Sequence, residues 1–301
     1  MTIEQITQKY RKRIDYLDLE IILAHSLGKT REFVLTYPEY KLTKIQISNF
    51  KFQINRRIKR EPLAYILGHK EFYGLDFMVN KYTLIPRPET EMMVEEVLSS
   101  ISSFASSLSQ GHKSSKIKII DIGTGSGCIA ISIAKKLMND GLLMTNYDLY
   151  ASDISKEALT IAKKNAKSNG VDKQIKFLYG SLLDPFINKT KKLKPEKIII
   201  TANLPYLSKG IYYSAPADVK KFEPKTALYS PEAGLQHYRI LLEQIKNLLV
   251  SCHMPNISCY MEISPEQKTT LEKLIENIIP IAKIEFKKDL AKKWRLCKIT
   301  M

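Results

Sequence analysis

The sequence predicts an α/β fold in which a mostly parallel, seven-stranded sheet follows a small helical domain. Residues 1–60 carry no strong strand pattern, whereas from Lys116 onward short apolar runs alternate with segments of helical periodicity. Alternating strands and helices form parallel sheets with helices on both faces. The last two predicted strands have no helix between them, so they are expected to pair as an antiparallel hairpin at one edge of the sheet.

The first 60 residues are predicted to form several short amphipathic helices. One covers about residues 17–27 and ends at Gly28, a residue suited to a helix C-cap. Another begins at Thr43, where Thr43 and Gln46 have the spacing of a capping box. One face of this second helix is apolar and the opposite face is basic. A solvated surface and a partner-docking surface both explain the basic face, and we place the domain boundary after residue 68.

Residues 69–90 are predicted to connect this helical domain to the sheet domain. Alternation around Gly74 indicates a hairpin, and two prolines indicate an extended strap, residues 85–91, that leads into a helix starting near Glu89 or Thr90. That helix is expected to fade into the serine-rich stretch 99–115, whose later half is interpreted as a flexible surface loop.

The sheet domain is predicted to extend from residue 69 to residue 301. Its predicted strands are 116–122, 147–153, 175–180, 197–202, 257–263, 282–287 and 294–300. Its predicted helices are 127–138, 155–168, 232–250 and 265–279.

Composition and charge exclude several classes of protein. Of 301 residues, 44% are hydrophobic and 26% are charged, which is ordinary for a globular protein. The chain has no apolar run long enough to span a membrane and its first residues are too charged for a signal peptide, so we expect a cytoplasmic protein without a membrane partner. The four cysteines lack metal-ligand spacing, so reduced thiols and no metal site are expected.

The net charge of +16 favours association with anionic partners such as nucleic acid or an acidic protein. Most of the basic residues are Lys, so a Lys-rich proteome explains the same charge. Charge alone therefore identifies no partner.

A glycine-rich turn follows the first strand of the sheet domain. The stretch Gly123-Thr124-Gly125-Ser126-Gly127 leads directly into a helix, and the amide N–H groups at such a helix start can hold a polar ligand. A dinucleotide site has the spacing G-x-G-x-x-G, whereas this turn has G-x-G-x-G, which fits the methionyl end of S-adenosylmethionine better. Asp153 ends the second strand, where its carboxylate can accept hydrogen bonds from both ribose hydroxyls. The alternatives are an ordinary tight turn and, for Asp153, a helix N-cap.

The fourth strand runs straight into Asn203-Leu204-Pro205-Tyr206, at the edge of the sheet where ligands bind in such folds. An amide or exocyclic amine nitrogen is a poor nucleophile because its lone pair is delocalised. Two acceptors, the Asn203 side-chain oxygen and the Leu204 backbone carbonyl, can localise that lone pair and orient the nitrogen. Pro205 restricts Leu204 to extended backbone, and Tyr206 offers an aromatic face for a flat group. The alternative is a plain β-turn after a strand.

With these motifs the chain resembles the HemK/PrmC methyltransferases, which modify the glutamine of peptide chain release factors at N5. The resemblance covers nearly the whole chain, and the strap from Pro86 to Glu91 is more discriminating than the glycines. The matching stretches are residues 61–68, 71–74, 84–91, 121–127, 203–206, 222–224 and 227–228.

The resemblance implies a release factor as the protein partner, contacted by the helical domain of residues 1–68, and S-adenosylmethionine as the cofactor. It implies that the cofactor lies on residues 123–127 and Asp153, that residues 203–206 hold the substrate glutamine, and that Arg87 and Glu89 in the strap line the pocket.

Two positions depart from the family pattern. Leu204 replaces the first proline of Asn-Pro-Pro-Tyr, and Ser181-Leu182 replaces an acidic residue followed by an aromatic one beside the adenine. A backbone carbonyl is what position 204 supplies, so activity is expected to survive. Ser181 is expected to hydrogen-bond the adenine amine and Leu182 to pack on the ring.

Two other functions remain open on these observations. A nucleic-acid amino-N-methyltransferase faces the same chemical problem, and the basic charge mildly favours it, although the chain lacks an obvious base-reading module. A non-catalytic, basic RNA- or ribosome-binding protein is the other alternative, and the intact glycine turn and Asn203 speak against it.

Overall fold

The computed structural model describes residues 1–107, 117–141, 147–186, 195–252 and 256–301. These residues divide into two compact units. The first comprises Met1–His69 together with Pro216–Phe222, and the second comprises Lys70–Ala215 together with Glu223–Met301. The segment Pro216–Phe222 was expected in the sheet domain on the basis of sequence. Among the described residues, no helix combines the length and the apolar character that crossing a membrane requires.

The first unit is helical, as the sequence predicts. Capping explains where its longer helices start: Asp15 accepts backbone N–H bonds at one helix start, and Thr43 and Gln46 form the predicted capping box at another. Gly28 ends the second helix in the left-handed conformation with φ of 64°. The helices are α1 Ile3–Tyr10, α2 Tyr16–Leu27, α3 Arg31–Thr36, α4 Lys44–Ile58, α5 Leu63–Leu67 and a short helix Ala217–Phe222.

The core of the first unit consists of apolar side chains that α1, α2 and α4 place at helical spacing. Ile22 and Leu23 of α2 and Ile54 of α4 are fully buried there. Burying a side chain of this size stabilises the fold by roughly 1.5–3 kcal/mol. The basic residues of α4 lie on its other face, where Arg57 pairs with Asp18 and Arg56 pairs with Glu61.

The second unit begins with a hairpin and the strap. Strands β1 His69–Phe72 and β2 Leu75–Met78 form a separate two-stranded sheet around Gly74, as predicted. The strap passes through a 3₁₀ turn, Pro88–Thr90, into α6 Glu91–Ser107. This helix continues through the first half of the serine-rich stretch, as expected, and Ile101 on its inner face is fully buried. The predicted flexible loop falls largely on residues 108–116, outside the described residues.

The main sheet has seven strands in the order β5-β4-β3-β6-β7-β9-β8. The pairs from β5 through β7 are parallel, and β9 is antiparallel to both of its neighbours, which confirms the predicted edge hairpin. The strands are β3 Ile117–Ile122, β4 Tyr147–Asp153, β5 Ile175–Tyr179, β6 Lys197–Ala202, β7 Ile257–Glu262, β8 Lys283–Lys288 and β9 Trp294–Thr300.

Helices connect the strands and pack on the sheet. They are α7 Cys128–Asn139, α8 Lys156–Ser168, α9 Lys209–Ser214, α10 Gln236–Cys252 and α11 Lys268–Ile278, with shorter helical turns at Lys225–Ala227, Pro231–Gly234 and Pro265–Gln267. Two apolar clusters fill the layers on the sheet, one containing Ile120, Ile200 and Leu242 and the other containing Ile119, Ile199 and Ile133. Adjacent residues of one strand thus serve opposite layers, as the two-residue period of a strand requires.

Candidate active site

Four neighbouring strands end in a row at one edge of the sheet. Ile122 of β3 pairs with Ser152 of β4 on one side and with Ala202 of β6 on the other, and Ala202 pairs with Met261 of β7. The next residue of each strand therefore stands in one row at the carboxyl ends, where ligands bind in doubly wound sheets. These next residues are Gly123, Asp153, Asn203 and Glu262.

The row opens onto a cleft of about 1040 Å³, measured to its solvent-open mouth. Residues of both predicted halves of the site line it, namely Gly123, Thr124, Gly125, Asp153, Ser181, Leu182, Asn203, Leu204 and Pro205.

The glycine turn is joined to the end of β4 by backbone groups. The Thr124 N–H donates to the Ser152 carbonyl at 2.9 Å, and the Gly125 N–H donates to Asp153 Oδ2 at 2.9 Å. The Ser155 N–H donates to the other oxygen of Asp153, also at 2.9 Å. Burial raises the pKa of Asp153, and these backbone donors oppose the rise. Each carboxylate oxygen keeps a free lone pair for a further donor.

Ser126 and Gly127, although predicted to contact the cofactor, are buried and lie outside the cleft lining. Gly127 is the N-cap of α7, and a Cβ placed there would come within 2.8 Å of Ile131 Cδ1 and 3.2 Å of the Ala162 Cβ. The third glycine therefore allows α7 and α8 to pack closely.

Asp121, two residues before the glycine turn, ties β3 to β6 beneath the cleft. Its carboxylate accepts hydrogen bonds from Thr124 Oγ1 at 2.6 Å and from Thr201 Oγ1 at 2.8 Å. Burial raises the pKa of Asp121 to about 6, although both hydroxyl donors oppose that rise. The side chain supports the turn from below and does not line the cleft.

At the end of β6, next to the glycine turn, Asn203 is held through its amide nitrogen. Asn203 Nδ2 donates to Thr90 Oγ1 at 3.2 Å and to Glu262 Oε2 at 3.1 Å. Thr90 Oγ1 itself donates to the same Glu262 oxygen at 2.5 Å. Tyr206 OH donates to Glu262 Oε1 at 3.2 Å. The tetrapeptide is thus attached at both of its ends to one buried carboxylate.

Two further residues hold the backbone of the tetrapeptide. Gln267 Nε2 donates to the Tyr206 carbonyl at 3.0 Å, and Gln267 Oε1 accepts the Ser264 N–H at 3.1 Å. Gly234 lies against the same carbonyl, because a Cβ at that position would come within 2.1 Å of the Tyr206 oxygen. Gly234 has φ of 91°, and Glu232 and Ala233 before it also have positive φ, an uncommon run for non-glycine residues.

The three charged residues of the strap, Arg87, Glu89 and Glu91, have different environments. Arg87 lines the cleft and pairs with buried Glu223 at 2.5 Å, and Glu223 also accepts the Ile85 N–H. Glu91 faces away and accepts the Tyr73 N–H of the β1–β2 hairpin at 2.9 Å. Glu89, predicted to line the pocket, is exposed and is not among the lining residues.

Tyr206 also differs from its predicted position. It does not line the cleft; its ring packs against the apolar core, and its hydroxyl contacts Glu262. Burial next to Glu262 raises the pKa of Tyr206 far above its usual range. We infer that Tyr206 supports the turn, and its packing on the substrate amide stays a prediction.

Sequence reasoning missed four residues at this site. Thr90, Glu262 and Gln267 form the hydrogen bonds described above, and His237 lines the cleft with its Nδ1 at 2.8 Å from Ser230 Oγ. Glu262 had a usable signal, since an acidic residue in an otherwise apolar strand must have buried partners. Thr90 lies within the strap to which the resemblance pointed, whereas no local pattern marks Gln267 or His237 as residues of the site.

The residues present fit S-adenosylmethionine. A largely buried carboxylate at the end of β4 suits a ribose diol, because its oxygens can accept from both hydroxyls. Leu182 adds an apolar wall and Ser181 a hydroxyl on the same side of the cleft. The glycine turn leaves backbone close to the cavity without side chains in the way.

Models of two protein families match this chain. Residues 3–68 match the PrmC N-terminal domain family, and residues 113–248 match a methyltransferase domain family. Among solved structures, the catalytic domain of human METTL16 in complex with hairpin 1 of the MAT2A 3′ untranslated region is similar at a TM-score of 0.52. It shares 16% identity, with 79% of this chain and 77% of that chain covered, so the likeness concerns the fold alone.

Curated relatives are much more similar in sequence. A release factor glutamine methyltransferase of Bacillus anthracis is 33% identical over 277 residues, which cover 92% of this chain and 89% of the relative. The enzyme of the same name from Enterococcus faecalis is 36% identical over 236 residues, covering 78% and 74%. A bifunctional methyltransferase of Rickettsia bellii is 34% identical over 250 residues, covering 77% of this chain and 42% of that longer protein. The chain therefore belongs to the release factor glutamine methyltransferase family.

Proposed function

We propose that this protein transfers a methyl group from S-adenosylmethionine to the side-chain amide nitrogen, N5, of a glutamine in a peptide chain release factor. The observation that carries the proposal is the position of Asn203. Its carboxamide stands at a strand end, in the same cleft as the glycine turn and Asp153. The relatives that share most of this chain's length are named for that reaction.

The acceptor half of the site has the groups that a primary amide needs. Asn203 Nδ2 is already engaged with Thr90 and Glu262, so its Oδ1 remains to accept an N–H from the substrate. Leu204 lines the cleft beside it and supplies a backbone carbonyl as the second acceptor. Two acceptors on the two N–H bonds draw the nitrogen lone pair out of amide resonance and fix its direction. Orientation of this kind can contribute several kcal/mol to catalysis.

S-adenosylmethionine supplies an electrophilic methyl group on its sulfonium when bound. Asn203 and the Leu204 carbonyl would hold the substrate amide with its nitrogen directed at that methyl group. The methylated nitrogen would lose one proton readily to solvent, so no residue of the chain is required as a general base. Pro205 keeps Leu204 extended, which maintains the direction of the Leu204 carbonyl during this step.

We assign the cofactor side to residues of the opposite wall. Asp153 would hold the ribose, the backbone of Gly123, Thr124 and Gly125 the methionyl end, and Ser181 with Leu182 the adenine. All of these residues line the cleft. Arg87 lines the cleft at the strap and is assigned to the substrate side.

We further propose that the domain of residues 1–68, which matches the PrmC N-terminal domain, docks the release factor. A cytoplasmic location is proposed as well. In the described residues Cys128, Cys259 and Cys297 are free thiols, which suits a reducing compartment.

The test is mass spectrometry of release-factor peptides after incubation with the protein and cofactor carrying an isotopically labelled methyl group. We expect one labelled methyl on a single glutamine, with fragment ions that place it on the side-chain amide. A release factor with that glutamine replaced by glutamate is the substrate control, and Asn203→Ala is the enzyme control. Both should remain unlabelled.

RNA and DNA should be included as competing acceptors in the same reaction. Label found only in nucleic acid would refute the proposal in favour of the second enzymatic alternative. Failure to bind the cofactor in calorimetry would favour the non-catalytic alternative.

A further inference from the structure

The carboxylate of Glu262 contacts three side chains at the catalytic tetrapeptide and the strap, namely those of Thr90, Asn203 and Tyr206. Glu262 ends β7, next to the strand that leads into Asn203, and only 3% of it is exposed. Its Oε2 accepts hydrogen bonds from Thr90 Oγ1 at 2.5 Å and Asn203 Nδ2 at 3.1 Å. Its Oε1 accepts from Tyr206 OH at 3.2 Å.

A carboxylate can only accept hydrogen bonds, whereas a carboxamide has one donating end and one accepting end. An Asn side chain beside a buried carboxylate must therefore present its NH₂ group to that carboxylate. The Thr90 hydroxyl gives its proton to Glu262 and so can only accept from Asn203, at 3.2 Å. Both neighbours require the same orientation of the Asn203 amide, with Oδ1 on the side away from them.

We propose that Glu262, together with Thr90, is a positioning residue that fixes the amide of Asn203 so that its carbonyl oxygen faces the substrate. The proposal rests on the proposed function, because it assigns the specificity of the same site. With Oδ1 presented, the site selects a nitrogen that carries N–H bonds. The reversed amide would present NH₂ and repel the N–H groups of the same substrate.

Several groups act on the Glu262 carboxyl besides Asn203. Burial raises the pKa of Glu262, and the Thr90 hydrogen bond, the Arg295 guanidinium and the Tyr206 hydrogen bond oppose that rise, in that order. Arg295 is only partly buried and also pairs with Asp289. Thr90 is thus the strongest of the groups that favour the carboxylate form.

Glu262→Gln is the first variant, since it keeps the shape and replaces one acceptor oxygen by a donor. The new NH₂ group must face either the Thr90–Asn203 pair or Tyr206, so one of the present hydrogen bonds is lost. We expect kcat to fall roughly 10- to 100-fold while the cofactor Kd, measured by calorimetry, changes less than about 2-fold. Unchanged kcat would overturn the proposal.

An exchange of the two groups provides a stricter measurement. Asn203→Asp alone places two carboxylates in contact and should lower kcat more than Glu262→Gln does. In the double variant Asn203→Asp/Glu262→Gln, the introduced carboxamide can donate its NH₂ to the introduced carboxylate, and an acceptor oxygen again faces the substrate. We expect the double variant to regain at least about 10-fold in kcat over Asn203→Asp alone. Losses that simply add would overturn the proposal.

Tyr238→Phe is the matched control for a merely structural effect. Tyr238 OH donates to the backbone carbonyl of the same Glu262, so the variant loses a buried hydrogen bond without altering the carboxylate. We expect its kcat to stay within about 3-fold of the original. A loss as large as that of Glu262→Gln would assign the Glu262 effect to folding and overturn the proposal.

A double-mutant cycle on stability separates this inference from the proposed function. Chemical denaturation of Asn203→Ala, Glu262→Gln and their combination measures the coupling between the two side chains without any substrate. Coupling in an enzyme that does not modify release factors would refute the function and support the fixed amide. Release-factor methylation without coupling would refute the fixed amide alone.

Discussion

The two walls of the cleft are built in different ways. On the cofactor wall, hydrogen bonds join residues that are near in sequence: Gly125 and Asp153 are 28 positions apart, and Thr124 and Asp121 are 3 apart. On the acceptor wall, Asn203 bonds to Thr90, 113 positions away, and to Glu262, 59 positions away. The residues that line the cofactor wall come from the continuous stretch between the end of β3 and the residues after β5, although Asp121 beneath it also bonds to Thr201, 80 positions away. The acceptor wall forms only when the strap and β7 have both reached β6.

This contrast implies that the two walls can be disabled separately. Substitutions on the acceptor wall should lower turnover and leave cofactor affinity intact, and substitutions on the cofactor wall should do the reverse. Of the four predictions below, which start with the largest expected effect, Asn203→Ala and Asp153→Asn test this separation directly, and Gly234→Ala and Asp121→Asn test how the residues beneath the cleft support it.

Asn203→Ala should lower kcat by about 10³-fold, or about 4 kcal/mol, which is the scale of losing one placed dipole at a reacting centre. Cofactor Kd by calorimetry should remain within about 3-fold, since Asp153 and the glycine turn are untouched. Turnover assays with saturating cofactor and release factor provide the measurement. Near-normal kcat would show that the two walls are not divided in this way.

Gly234→Ala should destabilise the protein by about 3 kcal/mol or more and lower kcat as well. A left-handed residue costs roughly 1–2 kcal/mol when it carries a Cβ, and here the Cβ would also come within 2.1 Å of the Tyr206 carbonyl.

Gly170→Ala is the matched control for this substitution. Gly170 has φ of 71° but nothing within 4 Å of an added Cβ, so only the conformational cost of about 1–2 kcal/mol applies. Thermal or denaturant unfolding compares the two variants. Equal losses would mean that contact with the Tyr206 carbonyl is unimportant.

Asp121→Asn should flatten the dependence of stability on pH. The folded protein holds the Asp121 proton more tightly, with a pKa of about 6 against 3.8 unfolded, so the contribution of Asp121 to stability is complete below pH 3.8 and is lost as pH rises through about 6. The shift corresponds to on the order of 3 kcal/mol. Denaturant titrations at pH 4 and pH 7 should show that the free energy of unfolding of the variant, relative to that of the original protein, is higher at pH 7 than at pH 4. Parallel profiles would contradict the prediction.

Asp153→Asn should have the smallest effect on turnover and should weaken cofactor binding. The amide offers one acceptor where the carboxylate offers two, so we expect the cofactor Kd to rise about 10- to 100-fold. At saturating cofactor, kcat should remain within about 3-fold, because the acceptor wall is intact. A large fall in kcat together with a normal Kd would reverse the assignment of the two walls.

Much of the sheet domain could be predicted because each strand and helix has its own local pattern. The seven predicted strands match the observed ones with differences of at most one residue at their ends. In the helical domain, Thr43 and Gly28 cap helices as expected. The continuation of α6 to Ser107 agrees with the prediction that only the later half of residues 99–115 forms a loop. Serine lowers the local helix preference, and the burial of Ile101 that outweighs it depends on the sheet beneath.

For the site, the sequence alone determined which segments would meet. The glycine turn, Asp153 and Asn203 each end a predicted parallel strand, and the carboxyl ends of such strands share one edge of the sheet. Only the tertiary structure decided the environment of each side chain. It placed Glu89 in solvent and Tyr206 against the core, and it brought Thr90 and Glu262 onto the Asn203 amide. The reason is physical. A local sequence pattern specifies where a strand ends, whereas the orientation of an amide depends on donors and acceptors contributed by segments that are distant in sequence.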